Sequence, residues 1–209
     1  MVKISTRNKI KIAAQSLFAE RGMSGVSVRE IVAAAGQKNM ASLHYYFRTK
    51  EELARELLLD AAAVIEERRI RLLDAAETAG GPTSLLQVLE IFIKSAVLPE
   101  DDPRALSNVR LYLHAFQHDA EFVQSTVSET GDVGYFRCLG HIKTFLAPLP
   151  ADVMKRRMYL MQHYVFNLLG ARERAISTGS VEAPFWQGEA MLNELITGAE
   201  RFLSGGDCE

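Results

Sequence analysis

Residues 36–53 read GQKNMASLHYYFRTKEEL, and within them sit two lysines, an asparagine, a serine, a histidine and two tyrosines. Hydrogen-bonding groups and aromatic planes on one short helix suit the recognition of a nucleic-acid duplex. Lys38 before the helix and Lys50 after it can grip the phosphate backbone. The histidine and tyrosines between them can touch phosphates, sugars and thymine methyls in the major groove.

Other chemistry finds less support. His114 and His118 stand four apart on a helical stretch with Asp119 following, a spacing that can ligate zinc. No other cluster supplies further ligands, so the two read as ordinary helix histidines and no metal or cofactor is expected. Paired catalytic carboxylates, a glycine-rich phosphate loop and a serine in a nucleophile elbow do not stand out, and an enzyme is not expected. Of the two cysteines, Cys138 reads as a small buried hydrophobe, and Cys208 lies in the tail SGGDCE, which looks disordered.

The elements that must position the 36–53 stretch are helical. Ile10, Ala13, Ala14, Leu17 and Phe18 recur at helix spacing between Thr6 and Arg21, and Gly22 ends the run. SVRE (Ser27 to Glu30) is a capping box that opens a second helix, stopped at Gly36. A third helix fits about Asn39 to Tyr46, and TKEE (Thr49 to Glu52) opens a long fourth one to roughly Ala79. Further helices are expected at 84–97, 104–117, 120–146 with a break near Gly131, 152–177 and 184–203. The reading is all-α with about nine helices and no period-2 strand.

Charge divides this chain unevenly. Residues 1–50 carry nine Lys and Arg against Glu20 and Glu30, whereas residues 51–209 are net acidic. A basic head on an acidic body suggests that the head meets a polyanion. Arg7, Lys9 and Lys11 are candidates for further phosphate contacts. No apolar run is long enough to span a bilayer and the N-terminus lacks the pattern of a secretory signal, so a cytoplasmic, non-membrane protein is expected.

The tight turn between two short helices is a helix-turn-helix. Taken with IAAQSLFAERG, VSVREIVAAAG and LHYYFRTKEEL in order, the stretch from about Lys9 to Leu57 resembles the TetR family of transcriptional regulators. The turn from Gly36 to Phe47 is one residue longer than the family's usual one. The resemblance implies that Ser27 and Lys50 contact phosphate, that Arg29 reaches a base, and that Met40, Ser42, His44, Tyr45 and Tyr46 face DNA, with Lys38 and Asn39 at the turn. It further implies a helix-turn-helix domain at 1–50. At 51–209 it implies a helical domain that dimerises and holds a small-molecule effector.

Within that body, Phe92, Tyr112, Phe116, Tyr135 and Phe136 are candidates for lining a pocket, although each taken singly reads as core. Met154, Met158, Met161, Val165 and Leu168 form an apolar stripe at alternating four- and three-residue spacing, with Leu160, Tyr164 and Phe166 off it. A helix with two apolar sides must bury both. The stripe and the final helix (Trp186, Leu192, Leu195) are therefore read as a homodimer interface. The expected function is that of a ligand-responsive repressor binding a palindromic operator and released by a small molecule. The rival reading is a helical interaction module that uses its basic head on a non-DNA anionic partner.

Overall fold

The computed structural model describes residues 4–99, 102, 104–127 and 133–205. Eleven helices and no strand occur among them. Each of the first helices starts and stops on a local signal. Ser5 Oγ accepts the Asn8 amide at 3.2 Å to open α1 (Thr6–Arg21), which ends at Gly22 with φ 71°. Gly22 donates its amide to the Phe18 carbonyl at 2.9 Å, and a side chain at that φ would be strained.

The expected capping box opens α2 (Val28–Ala34), and Gly36 turns the chain away at φ 68°. Helix α3 (Ala41–Phe47) starts two residues later than its spacing predicts, with Met40 at its N-cap, because the Asn39 side chain bonds the main chain in the turn before it. Asn39 Oδ1 accepts the Ala41 amide at 2.8 Å. Thr49 Oγ1 accepts the Glu52 amide at 3.0 Å at the head of α4 (Lys50–Thr78). The reciprocal half of that box differs from expectation. Arg48 has φ 57°, and the Thr49 amide donates back to the Phe47 carbonyl at 2.6 Å.

The chain groups into two compact units, Met1–Ala63 with Pro99–Gly131, and Val64–Leu98 with Asp132–Glu209. In the first, Ile10, Phe18, Ile31, Leu43, Phe47, Leu53 and Leu57 close one apolar core. Helix α6 (Asn108–His118) packs along α1, and α7 (Ala120–Val127) follows it. Polar ties fix that packing. Gln15 Nε2 donates to Ser107 Oγ at 3.0 Å, Asn108 Nδ2 to the Ala61 carbonyl at 3.2 Å, and Ser24 Oγ meets His118 Nε2 at 3.0 Å. Helix α6 begins later than expected because Asp102 holds Arg104 in a separate turn, through its amide at 2.8 Å and its guanidinium at 2.7 and 2.9 Å.

The second unit holds the end of α4 with α5 (Leu85–Lys94), α8 (Val133–Phe145), α9 (Ala151–Thr178), α10 (Ala183–Gln187) and α11 (Glu189–Ser204). Helices α10 and α11 pack on α9, and α8 and α11 on α5. The helix expected at 184–203 is two, because Gly188 is extended between them. The stretch expected at 120–146 is also two helices. The break near Gly131, the final residues of the tail and Cys208 lie outside the described residues. Cys138 is fully buried, and burial pushes its thiol up to about 11, so it stays protonated and inert at neutral pH.

Candidate nucleic-acid interface

Helix α3 has two faces of opposite character. Leu43 and Phe47, 0% and 3% exposed, anchor it in the core of the first unit, while Tyr45 is 82% exposed. Met40, His44 and Tyr46 are also exposed. Large apolar rings held out in solvent are costly to hydrate, and here they lie on the exposed side of a helix whose other side is packed in the core. The Tyr45 and Tyr46 rings stack edge to face with centroids 4.9 Å apart, which limits their freedom before any contact is made. Ser42 is half-buried, and its hydroxyl donates to the Asn39 carbonyl at 2.6 Å. His44 Nδ1 sits 2.7 Å from the Arg48 carbonyl. Lys38 and Asn39, on the turn before the helix, are exposed.

The residues flanking α3 play more than one part. Ser27 Oγ accepts the Glu30 amide at 3.3 Å and donates to the Glu30 carboxylate at 2.7 Å, while the Ser27 amide donates to the same carboxylate at 2.8 Å. Those bonds from Ser27, with one from Arg21, lower the Glu30 carboxyl to about 2. Arg29, the second residue of α2, is exposed. Lys50 is half-buried, and its ammonium donates to the carbonyls of Met23 and Val26 at 3.0 and 3.1 Å. Two of its three protons therefore close the loop between α1 and α2, a use the sequence does not announce.

The basic residues of α1 divide similarly. Arg7 donates to Glu56 at 2.6 Å and lies 5.0 Å over the Phe47 ring. Lys11 donates to Glu56 at 2.7 Å and pairs with Asp60. Burial pushes the Glu56 carboxyl up, but the bonds from Lys11 and Arg7 outweigh it and hold it below its ordinary value. These two cations are engaged in joining α1 to α4, and Lys9 is left exposed.

The candidate pocket residues fall into two groups. Phe92, Tyr135 and Phe136 come together in the second unit, with ring centroids 6.0 and 5.4 Å apart in sequence order. Tyr112 and Phe116 stack at 6.1 Å in the first unit, against its core. A charged pair missed by sequence reasoning lies beside Phe92 and Tyr135. Arg69, 6% exposed, donates to Glu66 at 3.1 Å and stands 5.0 Å over the Phe92 ring and 5.8 Å from Tyr135. Glu66 also accepts the Gly134 amide, and the Tyr135 amide at 3.2 Å, at the first turn of α8. Gln162 donates to the Tyr135 hydroxyl at 2.5 Å. The signal was present: Glu66, Arg69 and the buried Leu73 share one face of α4 at three- and four-residue spacing.

The apolar stripe of α9 turns inward. Met158, Met161 and Val165 are buried within the single chain, as are Trp186 and Leu195, so they have almost no surface to offer a partner. Met154, Leu168 and Leu192 are half-buried. The exposed apolar side of α9 is instead Tyr159 and Leu160, 59% and 53% exposed, with the His163 ring edge-on to Tyr159 at 4.4 Å between centroids.

A basic-headed unit that caps, turns and presents a polar aromatic helix in this way is a helix-turn-helix DNA-binding domain. Residues 12–57 match the family described as bacterial regulatory proteins, tetR family. The chain is 28% identical over 167 residues to the HTH-type transcriptional regulator AcrR of Shigella flexneri, covering 78% of this chain and 76% of that one. It is 27% identical over 110 residues to the HTH-type transcriptional repressor KstR2 of Mycolicibacterium smegmatis, half of this chain and 53% of that one. A putative tetR-family regulator from a Shewanella species superposes with a TM-score of 0.53 at 20% identity, covering 96% and 97% of the two chains. The TetR-family regulator PfmR of Thermus thermophilus gives 0.50 at 17%, covering 99% and 100%. Residues 12–57 carry the DNA-binding domain of the TetR family, and over most of its length the chain is similar to a transcription regulator. Among the described residues no helix is long and apolar enough to cross a membrane.

Proposed function

We propose that this protein is a ligand-released repressor that binds a palindromic operator as a homodimer in the cytoplasm. Residues 1–50 serve the DNA, and residues 51–209 serve effector binding and dimerisation. The observation that carries the reading is the split character of α3, with Leu43 and Phe47 buried and Met40, His44, Tyr45 and Tyr46 exposed. Exposed, pre-stacked rings in a basic setting match a duplex better than a membrane or an acidic protein, because a groove offers both phosphates and apolar methyls.

Two heads on one operator follow from the dimer. With the Met158, Met161 and Val165 stripe inside the chain, the side of α9 carrying Tyr159 and Leu160 remains for the partner. The effector acts by binding better to a body conformation whose heads are spaced wrongly for the operator. The Phe92 and Tyr135 cluster supports an effector site in the second unit, since these two rings lie against the buried Arg69. Capture of genomic DNA fragments by the full-length chain, repeated with candidate small molecules, tests this. One or a few inverted-repeat sites should be enriched, and an effector should release them. Uniform recovery of all fragments would contradict the reading.

A further inference from the structure

The His44 ring is already committed on one side. Its Nδ1 lies 2.7 Å from the Arg48 carbonyl oxygen. That oxygen has lone pairs and no proton, so the hydrogen between the two atoms belongs to Nδ1. In the neutral imidazole the other nitrogen, Nε2, then carries a bare lone pair and can only accept. The bond spans one turn, from the middle of α3 to the residue that ends it, and Arg48 there has φ 57°. The main chain thus fixes both the tautomer and the ring's rotation, while His44 itself is exposed between the buried Leu43 and Phe47.

We infer that His44 is a specificity-determining residue, whose Nε2 accepts from the exocyclic amino group of an adenine or cytosine in the major groove. It thereby selects an amino base over a keto base on the strand it meets. The inference rests on the DNA reading proposed above. Near the middle of every base pair the major groove presents one amino donor, adenine N6 or cytosine N4, and one keto acceptor, thymine O4 or guanine O6. An acceptor held over one of those places favours A·T and C·G and disfavours T·A and G·C. The choice is binary, and a side chain with donors alone would make the opposite one. The hydroxyls of Tyr45 and Tyr46 both donate and accept, so they impose no such choice.

Selecting duplexes from a randomised pool tests this, with the full-length protein beside His44→Ala and His44→Lys. The unaltered protein should enrich A and C over G and T at one position per half-site, by roughly three- to tenfold, the worth of one hydrogen bond. His44→Ala should flatten that position, and His44→Lys should turn it towards G and T. A selected duplex whose base at that position lacks its exocyclic amino group should bind the unaltered protein more weakly by the same factor, without any change to the fold. Keto bases at every position that His44→Ala alters would overturn the inference, and so would preferences that His44→Ala leaves intact. An unaltered protein that retains no sequence over another would overturn the DNA reading itself, and the inference with it.

Discussion

Lys50 donates its ammonium to the Met23 carbonyl at 3.0 Å, across 27 residues of sequence, and so ties the start of α4 to the loop after α1. A second bond to the Val26 carbonyl places the lysine under the turn that leads into α2. Its cation sits among main-chain oxygens, which makes it a positioning residue first. Lys50→Ala should lower stability by about 1–2 kcal/mol, since two part-buried carbonyls lose a charged donor. It should also weaken all duplexes to a similar extent. A melting temperature equal to that of the unaltered protein, with affinity lost, would return Lys50 to a purely phosphate-binding part.

Glu30 gives a pH prediction with a definite sign. Its carboxyl falls from 4.5 to about 2 because Ser27, and then Arg21, hydrogen-bond the charged form. A carboxyl lowered on folding contributes stability above its unfolded value, and that contribution disappears as pH falls through the folded one. The first unit should therefore lose stability between pH 4.5 and 2, and Glu30→Gln should flatten that part of a thermal-melt series. Equal slopes for the two proteins would contradict the capping assignment.

Much of the DNA-binding head was legible because its signals are local. Ser27 with Glu30, Gly22 and Gly36 each act within four residues, and the helices end where they say. The body was harder to read because its meaning depends on which side of a helix meets a neighbour far along the chain. The stripe through Met158, Met161 and Val165 shows that α9 has an apolar face. Only the packing of α10 and α11 on α9 shows that this face belongs to the chain's own core. The use of Lys50, Arg7 and Lys11 within the fold was hidden for the same reason, since Met23, Val26 and Glu56 lie far away in sequence.

The pair Glu66 and Arg69 should behave as a buried unit. Removing one partner strands the other charge, and Glu66→Ala additionally frees the Gly134 and Tyr135 amides at the start of α8. A loss of about 3 kcal/mol is expected from denaturant titration of Glu66→Ala. Pairing Glu66→Gln with Arg69→Met should recover much of it, because the stranded cation is gone. Additive losses in the double variant would contradict the coupling.

Two substitutions on α9 should separate folding from assembly. Val165 is 1% exposed, so Val165→Glu should unfold the second unit instead of merely splitting a dimer. Leu160→Glu, on the exposed side, should leave the melting transition of a dilute sample nearly intact and shift sedimentation towards the monomer. Operator affinity should fall with it, because two tethered heads bind far better than one. A Leu160→Glu protein that sediments as the unaltered one does would remove that side of α9 from the interface.

The central claim is that the exposed side of α3 reads duplex DNA, and Tyr45, the most exposed of its rings, tests it most directly. Equilibrium binding of the full-length protein and of Tyr45→Ala should be compared on a duplex selected by the unaltered chain and on a scrambled duplex, at matched salt. The account predicts that Tyr45→Ala weakens the selected duplex by roughly tenfold or more and the scrambled one much less, so that the two affinities converge. Equal losses on both duplexes, or no loss on either, would contradict it.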